Sequence, residues 1–192
     1  MSKYIDIMHD LLKKLALWYF VNDYLTASEY EVNNQIRDQL ERLGIPLDKV
    51  DRESRHFLDS AQERSGIIVD IGQRQYSFSH NSLRDYLAAE ETAGISNIEE
   101  MFNNYFKHSL HSSKNSEIIP MVAATLRLQH IDRSNIFINC ILNAKTRYED
   151  VIHSDLLLAT KCITEGATAY GNTKKYIFDL LKKLSVGRSR FI

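Results

Sequence analysis

Apolar positions recur every three or four residues along most of the chain, and two short stretches break that rhythm. Over 4–22, Ile5, Met8, Leu12, Leu15 and Tyr19 fall on one helical face, which predicts a first helix. T-A-S-E at 26–29 has the spacing of a capping box: a Thr26 hydroxyl accepting from the Glu29 backbone predicts a second helix starting there and ending before Gly44. A third helix is predicted over 51–64, with Phe57, Leu58 and Ala61 turned inward and Gly66 as its stop. Then the period drops to two. Residues 67–71 and 75–79 alternate, and the Gly72-containing link between them signals a hairpin.

The helical period returns at S-L-R-D, where Ser82 reads as an N-cap with Asp85 three residues on, and Gly94 closes that helix. S-N-I-E at 96–99 predicts another capped start. Helices are expected over about 97–110, 116–130, 134–144, 147–165 and 172–185, joined by short polar segments. The predicted fold is mostly α. A winged-helix domain with a small β-hairpin fills 1–94, including its trailing helix. A helical domain, an antiparallel stack of the α-solenoid or bundle kind, fills 95–192. No fixed-period repeat marks that second part.

Composition narrows the function classes. The chain has 192 residues, 44% hydrophobic and 26% charged, with a net charge of −1. That balance gives no electrostatic footprint for nucleic acid. Cys140 and Cys162 lie in apolar segments with no metal or redox spacing, so two buried, reduced thiols in a cytoplasmic protein are expected. No apolar run approaches the ~20 residues of a membrane span, and MSKYIDIMHD carries no leader-like apolar core.

Several segments invite a chemical reading and are better explained without one. G-A-T-A-Y-G-N-T-K at 166–174 looks like a phosphate loop. It lacks the Lys-Ser/Thr pair and follows a helix, so a helix–helix joint is expected, with no nucleotide hydrolysis by this chain alone. His108 and His111 stand three apart but lack companions for a metal, so two exposed histidines at a helix end are expected. The third helix, the recognition helix if the domain reads DNA, has Arg52, Arg55 and Arg64 against Asp51, Glu53, Asp59 and Glu63. Three cations against four anions leave −1, which disfavours DNA. A DNA-binding regulator with a helical dimerisation or sensor domain, contacting through Arg52, Arg55 and Arg74, is the weaker alternative. The C-terminal segment carries Lys174, Lys175, Lys182, Lys183, Arg188 and Arg190 against Asp179, six against one, beside a stripe of Tyr176, Ile177, Leu180, Leu181 and Leu184. A helical adaptor docking a partner or membrane by that helix is a second alternative, and the last helix of the stack with a solvated face is preferred to it.

One constellation remains. Strand alternation puts His80 on a face with Tyr76 and Phe78, two residues before the Ser82 cap, where a helix end favours an anion. From the residues alone, a histidine donating to a phosphate and a partly buried one donating to a carbonyl both stand. The segment Ser65-Gly66-Ile67-Ile68, then Phe78-Ser79-His80, then Asp85-Tyr86-Leu87-Ala88-Ala89 resembles the winged-helix region of NACHT-type STAND NTPases. Asp85 departs from the usual Glu, and Asn81-Ser82-Leu83-Arg84 departs from the usual link. The resemblance covers about 63–91. It implies a non-catalytic regulatory module of a signalling ATPase, in the manner of bacterial antiviral defence. His80 would contact an ADP phosphate and hold the inactive state. The ADP or ATP would be supplied by an upstream nucleotide-binding domain, in cis or in trans, and the helical region would answer a trigger ligand or protein. The chain is expected to correspond to the C-terminal part of such an NTPase, with no cofactor of its own.

Overall fold

The computed structural model describes residues 2–147 and 149–188, with side chains described from 7 to 185. The chain divides into two compact units, Met1–Thr92 and Ala93–Ile192.

The first unit opens with α1 (Ser2–Val21). It buries Leu11, Leu12, Leu15, Ala16, Tyr19 and Phe20, a doubled stripe at four-residue spacing. Met8 is half-buried, and Ile5 of the predicted face lies outside the described side chains. Tyr19 is the anchor: its hydroxyl donates to the Tyr76 carbonyl at 2.9 Å, and its ring meets Phe78 edge-on at 5.3 Å. Burial pushes its phenol well above the ordinary range.

A short strand, β1 (Ala27–Ser28), precedes α2 (Glu29–Arg42). The predicted cap at Thr26 is therefore displaced by two residues. Ala27 and Ser28 stay extended because they pair antiparallel with Tyr76 and Gln75 of the central strand. Ser28 then becomes the N-cap, accepting from the Glu31 backbone at 3.3 Å, while the Glu31 carboxylate accepts from the Ser28 backbone at 2.8 Å. Those hydrogen bonds, the Ser28 hydroxyl first, hold the Glu31 carboxyl below its ordinary range.

α3 (Leu47–Asp59) starts four residues before its predicted start, because Pro46 fixes the entry and its carbonyl accepts from Lys49 and Val50. It buries Val50, Ser54, Phe57 and Leu58, and runs into a π-turn at Ser60–Arg64. Two strands follow, β2 (Ile68–Asp70) and β3 (Gln75–Phe78), in the sheet order β1-β3-β2. The predicted hairpin forms with Ile68 opposite Phe78. Its turn closes through Gln75 N to Gly72 O at 3.1 Å, and both central residues, Gln73 (φ 53°) and Arg74 (φ 57°), are left-handed. Such turns favour Asn-Gly. Each side-chain-bearing residue held there costs about 1–2 kcal/mol. α4 (Asn81–Ala93) completes the hairpin-to-helix passage.

The second unit contains α5 (Ile98–Tyr105), a 3₁₀ turn at Lys107–Ser109, α6 (Ser113–Gln129), α7 (Ile131–Leu142), α8 (Glu149–Ile152), α9 (Ser154–Thr164) and α10 (Gly171–Arg188). α7 packs on α5, α6 and α9 around fully buried Met101, Ile118, Ile119, Leu126, Phe137 and Ile138. Asn97, not Ser96, caps α5, its side chain accepting from Glu100 N at 3.1 Å. The helix predicted over 147–165 is broken at His153, whose φ of 55° is left-handed. The break is held open by Glu149, whose carboxylate accepts from the Asp155 and Leu156 backbones at 2.7 and 3.2 Å and so caps α9.

Pro120 sits inside α6 and cannot donate to the carbonyl of Ser116 one turn back. Lys161 of α9 fills the vacancy, its ammonium donating to that carbonyl at 2.8 Å.

Candidate functional site

β3 ends at Phe78, Ser79 donates to the Ile67 carbonyl at 2.8 Å, and the chain turns directly into α4. His80 is the residue at the turn. Its carbonyl accepts from Leu83 N and Arg84 N, both at 3.2 Å, which makes it the N-cap of α4. The predicted Ser82 cap is corrected by these bonds. Ser82 is already inside the helix, and Asp85 does not reach back to the helix end. Asp85 instead accepts two bonds from the Arg84 guanidinium, at 2.9 and 2.8 Å, and the pair is largely buried. A third Arg84 nitrogen donates to the Tyr24 carbonyl at 3.1 Å. Arg84 is thus occupied in holding the start of α4.

The orientation of His80 also differs from strand alternation. Tyr76 and Phe78 are buried, as their shared face requires, but the strand stops before His80 and its ring is exposed. Among the described residues no side chain or carbonyl bonds that ring. The expectation of a histidine satisfied by a nearby carbonyl fails for this reason. The rest of the segment divides cleanly. Leu87, Ala88 and Ala89 are buried, and the two alanines, fully so, give α4 a flat packing face. Glu91 and Glu90 tie α4 to α1 through Lys14 at 2.6 Å and His9 at 3.1 Å. The motif supplies packing from Leu87 to Ala89 and one outward donor at a helix N-terminus.

The remaining candidates resolve differently. His108 is exposed in the 3₁₀ turn. His111 is not a free histidine at a helix end: its Nε2 lies 2.6 Å from Asp155, a carboxylate with no exposed surface that also accepts from the Thr146 backbone and hydroxyl at 3.0 and 2.6 Å. No sequence signal linked these three residues, because 44 positions separate His111 from Asp155. The loop-like segment at 166–174 joins α9 to α10, and several of its amides are spent within the fold. Thr168 N donates to Ser134 and Tyr170 N to Asn135, at 3.0 and 3.1 Å.

The cations of α3 and the hairpin are interleaved with carboxylates. Arg52 pairs with Glu53 at 2.8 Å, Arg37 with Asp51 at 3.0 Å, and Arg74 approaches Glu29 at 3.7 Å. Alternating signs do not make the continuous cationic track that duplex phosphates require. On α10, Ile177 is buried and Leu180, Leu181 and Leu184 are half-buried, but Tyr176 faces out with Phe178, which corrects the predicted stripe. The side chains of Arg188 and Arg190 lie outside the described residues. Burial pushes the Cys162 thiol up to about 12 and the half-buried Cys140 thiol up to about 11. No group of three or more His, Cys, Asp or Glu suited to a metal occurs among the described residues. No helix among them is long and apolar enough to cross a membrane.

Residues 3–92 match the family model described as "Winged helix-turn-helix domain C-terminal to NACHT". The match falls within the N-terminal unit, whose helices and small antiparallel sheet make it similar to the winged-helix domains that follow NACHT. No curated protein and no solved structure matches the chain.

Proposed function

We propose that this winged-helix domain, being of the kind that follows NACHT, regulates the nucleotide state of an upstream NACHT domain. His80 is the contact. The exposed, unbonded ring at the first turn of α4 carries this reading. An imidazole N–H beside the positive end of a helix is a ready donor to a phosphate oxygen. One such charge-assisted bond contributes about 1.5–3 kcal/mol. That suffices to bias two states of an assembled NTPase and does not suffice for this chain to hold ADP tightly by itself. The nucleotide, ADP in the restrained state, would come with the upstream domain. The helical second unit would receive the trigger and transmit it by loosening the His80 contact. Signalling in defence is the setting that the family resemblance suggests.

The His80 side chain is exposed and forms no bond within the described residues, so replacing it separates function from folding. His80→Ala is expected to leave the unfolding midpoint of this chain within ~0.5 kcal/mol, as surface changes do. In the assembly with its NACHT domain it should speed ADP release by about 10- to 100-fold, the kinetic image of one lost charged hydrogen bond. Unchanged ADP release and an unchanged activation threshold would remove the assigned role.

A further inference from the structure

A second place on the winged-helix unit has the makings of a binding site, and it does not include His80. A groove of about 600 Å³ lies among α2, α3 and the hairpin turn. Sites for small ligands and short segments run to about 300–1,000 Å³. Arg37, Arg55 and Arg74 line it, with Glu29 and Asp51 between them. Two of the guanidiniums are under-used. Arg74 is 85% exposed and stands 3.7 Å from Glu29, beyond hydrogen-bond reach. Arg55 donates from Nε to its own helix at the Asp51 carbonyl, which leaves its terminal nitrogens to the groove. Asn33, Asn34, Gln73 and Gln75 add side-chain amides, and Tyr30, 75% exposed, offers an aromatic ring on the rim.

The hairpin turn holds two side chains over this surface at a cost in backbone strain. Gln73 and Arg74 occupy left-handed positions that glycine and asparagine fill without strain. Strain of this kind is retained where the side chains matter. The turn is pinned over the groove by Glu29 N donating to the Arg74 carbonyl at 2.8 Å. A long cation is therefore delivered to the groove by a backbone that would be more stable with glycine there.

We propose that this groove binds an extended, acidic peptide segment, with Arg55 and Arg74 taking its carboxylates. Guanidinium groups match carboxylates in a two-pronged geometry. Side-chain amides supply both donors and acceptors, which suits the N–H and C=O groups of an extended backbone. A nucleic acid fits less well: separate carboxylates can meet Arg55 and Arg74 one at a time, whereas Glu29 and Asp51 break the continuous cationic track that evenly spaced phosphates require. The proposal rests on the groove and stands apart from the role of His80.

The test uses the full chain and fluorescence anisotropy at 0.15 M salt, with a labelled hexaglutamate peptide as probe. Saturable binding is expected, at least tenfold weaker for hexaglutamine and at least tenfold weaker in Arg55→Gln and Arg74→Gly. Arg74→Gly should unfold at the same or a higher temperature than the parent, which separates lost binding from lost structure. His80→Ala should bind the probe as the parent does. No saturation by hexaglutamate, tighter binding of a labelled 12-nucleotide single strand, or undiminished binding by Arg74→Gly would overturn the proposal.

Discussion

Pro120 and Lys161 show how one residue's missing atom becomes another's task. The proline removes a donor from the interior of α6, and the freed Ser116 carbonyl is bonded by the Lys161 ammonium. An ammonium on a carbonyl is worth more than a neutral pair, and an orphaned partner costs about 1–3 kcal/mol. Lys161→Met is accordingly expected to destabilise the protein by about 1–2 kcal/mol. In a Pro120→Ala background, where the restored backbone N–H can donate to Ser116, the same change should cost measurably less. Urea denaturation of the four proteins gives the coupling, and additive effects would contradict it. The cysteines are governed at the same scale by desolvation alone. Their thiols are held neutral up to about 12 and about 11, from an ordinary 9.0. The unfolded chain ionises first, so their stabilising effect is intact below pH 9 and is lost as pH rises toward those values. At pH 8 both should resist a thiol reagent, Cys162 reacting only on global unfolding. A rate for Cys162 near that of a free thiol would show the opposite.

Among the elements, α2 is the clearest case of a local signal overruled by pairing. Thr26 and Ser28 are both adequate caps by composition, and each has a glutamate three residues on. β3 decides between them by pairing with Ala27 and Ser28, so the helix cannot begin before Glu29. Ser28→Ala is expected to cost about 1 kcal/mol, the usual value of a lost N-cap. Thr26→Ala should stay within ~0.5 kcal/mol. The two midpoints in urea distinguish the assignments directly. α4 follows the same logic. The bond from Ser79 to Ile67 ends the strand, the His80 carbonyl starts the helix, and the imidazole is left outside because the strand's alternation has already stopped.

The whole molecule is two units with separate cores, Met1–Thr92 and Ala93–Ile192. The first is built on Tyr19, Phe57, Ile68 and Phe78, the second on Met101, Leu126, Phe137 and Ile138. Cores of this kind support independent folding. A fragment of residues 1–94 is expected to give a helical far-ultraviolet spectrum and one cooperative thermal transition. A non-cooperative melt would mean that the winged helix depends on the second unit for its fold.

Much of this was legible in the sequence. Helix order, the hairpin, most inward-facing positions and the Phe-x-His and Tyr-Leu-Ala-Ala segments follow from periodicity and from neighbours three or four residues apart, which any local stretch carries within itself. The cap at Ser28, strand β1, the exposure of His80, the Asp155 cluster and the arginine groove were not legible. Each of these depends on backbone or side chains brought together by the fold: Ala27 meets Tyr76, Thr146 and His111 meet Asp155, and Arg55 and Arg74 line one groove. The sequence settled most of the residues that are buried together along the helices. Only the closing of the sheet and the stacking of the helices decided which polar groups were left facing outward with bonds to offer.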